Sequence, residues 1–279
     1  MTSKTRRLFS KSATYILLIL VAVIVGYPFL WMLLSSFKDI SEFYMIPPRL
    51  FPEVWLTDNY VEIFTKWSFG TYYKNSIIVT AAQLIGNLII VLFAGYGFAK
   101  YRFRFKTFFF MLILCTTMIP WVATIIPLYI VATNLGWINT YVGLIIPGAA
   151  DAFSIFLARN FISGIPDPLI EAARIDGSGE FHTFNQIVLP LMKPAIAVQA
   201  IFTFVSSWNN YFTPALILHD DKKKTLPILI AQLRAADWLK FDMGQVYVMI
   251  AFSIFPVIVV YLILSKHIVQ GVALGSVKG

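Results

Sequence analysis

The chain contains few side chains suited to chemistry, and they cluster. The segment EAARIDGSGEF, residues 171–181, sets Glu171, Arg174, Asp176 and Glu180 around a Gly-Ser-Gly turn. Carboxylates and a guanidinium at such spacing form charge-assisted hydrogen bonds, to each other or to a partner. Asp151 stands alone in an otherwise uncharged stretch, and SSWNNYF, residues 206–212, gathers hydroxyls, amides and rings in a second one. Such a mixture suits hydrogen bonding to hydroxyl-rich ligands and stacking against their rings. It also suits polar packing between membrane helices. The three histidines, His182, His219 and His267, lack metal-ligand spacing, and Cys115 has no second cysteine to pair with. No G-x-x-x-x-G-K-[ST] motif is present, and the glycines of GSG do not make a phosphate loop. Neither a catalytic nor a metal site is expected.

These residues must be positioned by helices in lipid. Of 279 residues 58% are hydrophobic and 13% charged, and the mean hydropathy is +0.76, far from the mix of a soluble domain. A helical crossing needs about 20 apolar residues. Six windows meet that requirement, at about 13–36, 75–99, 107–133, 141–163, 195–218 and 243–265. The uncharged run Thr107 to Ala150 is too long for one crossing and is divided by the polar turn NLGWINT. The first window follows Lys4, Arg6, Arg7 and Lys11 like a signal peptide, but its apolar run is too long and no A-x-A site follows. It is expected to be retained as an anchor. The reading is an all-α membrane protein with one transmembrane domain over residues 1–279 and no separately folding soluble piece.

Lys4, Arg6, Arg7, Lys11, Lys100, Arg102, Arg104, Lys106, Arg159, Arg174, Lys193, Lys266 and Lys278 fall on one side of such a topology, more than half of the 22 basic residues. That side is expected to be cytoplasmic, with both termini on it. The bias is weakened by DDKKK, Arg234 and Lys240 on the other side. The net charge of +8 is therefore read as topology, with lipid as the surrounding partner and no nucleic acid.

The inner loop 164–194 reads as a helix, a turn and a helix. Asp167 is expected as N-cap with Pro168 at the first helical position, an apolar body through Ile175, and Gly177 as the stop. Ser178 is expected to cap the second helix, with Glu180 in its first turn and Phe181, Phe184, Ile187, Val188 and Leu191 on one face. A short amphipathic helix projecting at a glycine turn fits a groove of another protein. Resting on the membrane interface is the plainer reading of the same pattern.

Glu171-Ala172-Ala173, Asp176-Gly177 and Leu189-Pro190-Leu191 resemble the EAA loop of ABC importer permeases, in the form found in carbohydrate importers. The likeness extends through IPLYIVATNLGWINTYVGLIIP at 126–147, FTFVSSWNNYFTPALIL at 202–218 and the tail GVALGSVKG at 271–279. It is strongest to the smaller permease subunit of maltose-type importers. The resemblance implies the type I importer permease fold with six crossings and a cytoplasmic coupling helix. It also implies the bacterial or archaeal cytoplasmic membrane, a second and different permease, two ATP-binding subunits and an extracytoplasmic solute-binding protein. ATP and Mg would be bound by those ATPase subunits and not by this chain, which would be no enzyme. Glu171, Ala172, Ala173, Arg174, Asp176 and Gly177 would dock on the ATPase, and the tail 267–279, with Gly275, Ser276, Val277 and Lys278, would reach between the ATPases. Its glycines oppose a stable helix there. Asp151, at a cost of roughly 2.5–3.5 kcal/mol at mid-membrane, should face protein or water, and with Ser207, Trp208, Asn209 and Asn210 it is a candidate for the substrate path. The expected cargo is a carbohydrate, an oligosaccharide first. A permease for another solute and an ion-coupled carrier are the alternatives.

Overall fold

The structure is a computed structural model and describes residues 3–235 and 242–276. The described residues are helical, with no strand among them, in keeping with an all-α membrane protein. They divide into two compact units, Met1–Phe69 with Ile230–Phe255, and Gly70–Leu229 with Pro256–Gly279.

In the first unit, helix α1 (Ser3–Ser35) is exposed along most of its apolar length, as a lipid-facing helix should be. A 3-10 turn over Ile40–Tyr44 follows, closed by a capping box in which Asp39 accepts from Ser41 N and Glu42 reaches back to Asp39 N. Helix α2 (Asp58–Thr65) packs through rings, Phe64 edge-on to Phe69 at 5.3 Å and Tyr60 against Phe37 at 5.0 Å. Buried Asn59 holds the carbonyls of Ser36 and Lys38, each at 3.1 Å. The loop rich in proline and aromatics is thus ordered by satisfied polar groups beneath a surface of Tyr44, Ile46, Phe51 and Trp55.

The second unit is built on α3 (Phe69–Lys100), which begins one residue before it and runs unbroken for 32 residues. Around it stand α4 (Lys106–Thr116), α5 (Trp121–Asn134), α6 (Val142–Gly148), α7 (Ala152–Ser163) and α8 (Asp167–Ile175). The short α9 (Glu180–Thr183), a π-helical turn over Phe184–Val188, and α10 (Leu189–Leu191) lead into α11 (Lys193–Trp208) and α12 (Phe212–Ile217). The remaining helices, α13 (Leu226–Ala235) and α14 (Met243–Ser276), pass from one unit to the other. Gly95 lets α3 lie against α7, since a Cβ there would come 2.7 Å from that of Ala158. Small residues at such crossings are the usual means of close packing in lipid.

Three expected windows are not straight helices. The window 107–133 is two helices meeting at 101°. Thr116 and Thr117 turn their hydroxyls back on Ile113 O and Leu114 O, each at 2.7 Å, and Pro120, which has no N–H, starts the next helix. The window 141–163 bends by 42° between α6 and α7, after Pro147 and at the extended backbone of Asp151 (φ −137°, ψ 145°). In the window 195–218 the helix stops at Trp208 and resumes at Phe212. Charge-free length does not reveal these breaks, because hydropathy records composition and not direction.

The inner loop departs in detail from the expected caps. Asp167 is the first helical residue of α8 and Pro166 its N-cap, while Gly179, not Ser178, precedes α9. Ser178 Oγ instead accepts from Thr183 Oγ1 at 3.1 Å. The expected second helix widens into a π turn, in which Leu189 N reaches Phe184 O. Pro190, which cannot return an N–H to the preceding turn, lies just beyond. An 80° bend follows between the Glu180–Leu191 stretch and α11. At the other end of the chain, α14 keeps a helical backbone through Gly271 and Gly275 to Ser276, against the expectation of an unstable tail.

Candidate functional site

Helix α8 is held from below and open above. Ile170, 3% exposed, and Ala173 face a core that includes Tyr96, Ile162, Ile165 and Phe184. Leu169, Glu171, Ala172 and Ile175 face outward, Ile175 with 85% of its surface free. Phe181 is also exposed. A soluble surface seldom presents such apolar residues together without a partner to cover them. The helix ends in a Schellman turn: Ser178 N bonds to Ala173 O at 2.9 Å and Gly177 N to Arg174 O at 3.1 Å, with Gly177 at φ +80°. Asp176 is the exposed C-cap.

Two polar joints tie this helix to the end of α3. Lys100, whose side chain is 6% exposed, donates to Ile165 O at 2.5 Å and to Asp167 Oδ1 at 2.6 Å. The bond from Lys100 holds the Asp167 carboxyl below the usual carboxylate range. At the other end of α8, Arg174 grips Glu180 Oε1 through Nε at 2.9 Å and an NH2 group at 2.8 Å. The second oxygen of Glu180 accepts from Tyr101 at 2.5 Å and from Tyr96 at 3.3 Å. Burial first, and then this bond, push the Tyr101 hydroxyl up to about 12. An open, polar hollow of about 440 Å³ lies between the joints, bordered by Arg102, Glu171 and Arg174. Of the residues singled out in the loop, Arg174 is therefore engaged within the chain, while Glu171 presents its side chain outward.

A second feature lies within the spans. Ser76, Thr80, Gln83 and Asn87 recur at helical spacing on α3 and are all buried. Asn87 Nδ2 donates to Asp151 Oδ2 at 3.2 Å, and Asn87 Oδ1 accepts from Gln199 at 3.1 Å and Thr203 at 3.0 Å. Asp151 caps α7 by accepting from Ser154 N at 2.8 Å, and Ser154 Oγ bonds to both Asp151 and Gln199. Above this network is a cavity of about 430 Å³, lined in part by Asp151, Gln199, Ser207, Asn210 and the rings of Phe153 and Phe202. Of the expected path residues, it brings together Asp151, Ser207 and Asn210. Trp208 packs against Phe204 at 5.8 Å and Tyr73 at 5.6 Å with 2% of its surface exposed. Asn209 is the C-cap of α11 and does not line the cavity.

Gln83, Asn87, Ser154, Gln199 and Thr203 were absent from the expected set. The spacing 76, 80, 83 and 87 in an otherwise apolar window was a legible signal for the α3 residues. Gln199 and Thr203 share a face of α11 four residues apart. In the tail, Gly275 and Ser276 lie on the helical backbone of α14, and Val277 and Lys278 lie outside the described residues. No group of three or more His, Cys, Asp or Glu that could hold a metal ion occurs among the described residues.

Comparison with known proteins gives concordant likenesses. Residues 86–274 match the family described as binding-protein-dependent transport system inner membrane component. The arabinooligosaccharides transport system permease protein AraQ of Halalkalibacterium halodurans is 32% identical over 93% of this chain and 93% of its own. The sn-glycerol-3-phosphate transport system permease protein UgpE of Brucella abortus is 34% identical over 92% of this chain and 94% of its own. A crystal structure of a bacterial ABC transporter that imports the acidic polysaccharide alginate matches with a TM-score of 0.80 at 26% identity, covering 95% of this chain and 98% of that one.

Proposed function

This chain belongs to the family of binding-protein-dependent transport system inner membrane components, and from that premise we propose that it passes an oligosaccharide across the membrane on force received through α8. It is the multi-pass permease subunit of an ABC importer. In our reading, α8 is the coupling helix. The observation that carries this is the two-faced setting of α8, with Ile170 and Ala173 locked into the core while Glu171, Ala172 and Ile175 stand uncovered. An ATPase cleft would cover the exposed face, and Glu171 would meet a cation of that cleft.

The working complex in this reading is this chain, a second and different permease, two ATP-binding subunits that hold ATP and Mg, and an extracytoplasmic binding protein that delivers cargo. Residues 164–194 and both termini face the cytoplasm, and Gly275 to Lys278 approach the ATPases. Asp151, Ser207 and Asn210 line the path. The arabinooligosaccharide and alginate relatives favour a carbohydrate cargo, and the glycerol phosphate relative favours a small phosphorylated one as the second reading.

The test is purification of the intact complex through a tag on this chain. A Walker-A ATPase and a second permease should accompany it, and Glu171→Lys should shed the ATPase while the two permeases stay together. Retention of the ATPase by that variant would remove α8 as the docking element.

A further inference from the structure

We propose that the cavity above Asp151 takes neutral, hydroxyl-rich cargo and that Asp151 is its charge filter, turning away carboxylated or phosphorylated solutes. The inference rests on the importer reading above and narrows its cargo, a choice that the relatives leave open because their names include neutral and acidic cargoes alike.

Charge is the first argument. Asp151 is the sole ionisable residue among the described residues that line the cavity, and no Lys, Arg or His is among them. An anion entering would leave part of its water without a cation to replace it and would meet the carboxylate of Asp151. Asp151 is exposed, so its repulsion is not hidden by packing.

Hydrogen bonding is the second. Gln199, 5% exposed, directs its Nε2 to Asn87, Ser154 and Thr203, so it belongs to the floor of the cavity and the polar side chains left to meet cargo include Asp151 and Asn210. A sugar hydroxyl can donate to Asp151 and accept from Asn210, both of which line the cavity, whereas the oxygens of a carboxylate or phosphate monoanion face outward mainly as acceptors. Phe153 and Phe202, each more than half exposed, offer ring faces for the apolar side of a sugar.

The local fold does not itself require an acid. Asn or Ser caps a helix about as well as Asp, so capping of α7 leaves the carboxylate at position 151 unexplained. It also supplies two conservative variants, Asp151→Asn and Asp151→Ser.

The purified complex, without its binding protein, is titrated at millimolar concentration with arabinotriose and with the aldonate made by oxidising its reducing end. Binding is read by saturation-transfer NMR. The wild type should favour the neutral sugar by on the order of tenfold, and either variant should bring the two ligands near parity. A preference unchanged in both variants, or no arabinotriose binding, overturns the inference. ATP-dependent uptake of glycerol phosphate without uptake of any neutral saccharide by the same complex would overturn the carbohydrate reading as well. Neutral uptake with an unchanged preference would overturn the filter alone.

Discussion

Gly177 is where a single residue carries most. Its φ of +80° lies in the left-handed region, and no atom stands within 4 Å of the place a Cβ would occupy. The cost of a substitution is therefore conformational and not steric, about 1–2 kcal/mol for an ordinary L residue and less for Asn. Pro is worse, because it fixes φ near −65° and removes the N–H that bonds to Arg174 O. ATP-dependent uptake per inserted complex should fall in the order Gly, Asn, Ala, Pro, with membrane insertion unchanged. Normal uptake by Gly177→Pro would show that the Schellman turn is dispensable. The stop at Gly177 was legible because glycine past an apolar run is a helix end signal. The cap of α9 was not, since Ser178 had a competing partner in Thr183 that only the fold brings near.

At the scale of elements, if α8 is the coupling helix proposed above, the joints between α3 and α8 carry motion of the loop to the spans together with the packing of Ile170. In the proposed coupling role, a pull on α8 passes through Asp167 to Lys100, and through Arg174 and Glu180 to Tyr96 and Tyr101. Lys100→Ala leaves Ile165 O without its bond and should cut uptake severalfold while the ATPase remains bound and active, a signature of uncoupling that simple loss of assembly would not give. Tyr101→Phe should do the same more mildly, since Tyr96 still reaches Glu180. The raised Tyr101 hydroxyl has its own pH signature. Its contribution is complete below the ordinary tyrosine range near 10 and is lost as pH rises through about 12. The alkaline loss of thermal stability in that window should shrink in Tyr101→Phe. An identical alkaline profile would place the titration elsewhere. The windows of apolar residues were readable without a structure because lipid demands length. The breaks at Thr117–Pro120 and Ala149–Asp151 were not, although Pro120 and Pro147 stood in plain view. Proline in a membrane helix is tolerated when neighbours satisfy the freed groups, so its presence alone does not separate a kink from a full bend. The same break makes Asp151, still at the middle of the 141–163 window, a helix cap where three donors meet its oxygens.

For the molecule as a whole, the topology follows from which bent pairs cross. The charge pattern argues for a cytoplasmic coupling loop, and its main exception is the DDKKK stretch on the other side. That exception is softened by local pairing. Lys224 binds Asp221 at 2.6 Å, and Lys223 is tied to Asn139 O at 2.8 Å. Paired and anchored cations weigh less against the topology than the open clusters near Lys100 and the N-terminus. If α4 with α5 makes one crossing and α6 with α7 another, Phe103, Leu135 and Ile175 fall inside, outside and inside. All three are exposed. The measurement replaces Cys115 with Ala and places single cysteines at these positions. An impermeant maleimide on right-side-out vesicles that carry the permeases without the ATPase subunits should label Leu135→Cys at once, and the other two only after permeabilisation. Labelling of Phe103→Cys and Leu135→Cys from one side would mean that the 101° turn at Pro120 returns the chain to the face it came from. With α6 and α7 crossing, α8 would then lie on the side opposite residue 103. Lys100 could not reach Asp167 from there, so the joint between α3 and α8 and the three-position labelling pattern stand or fall together.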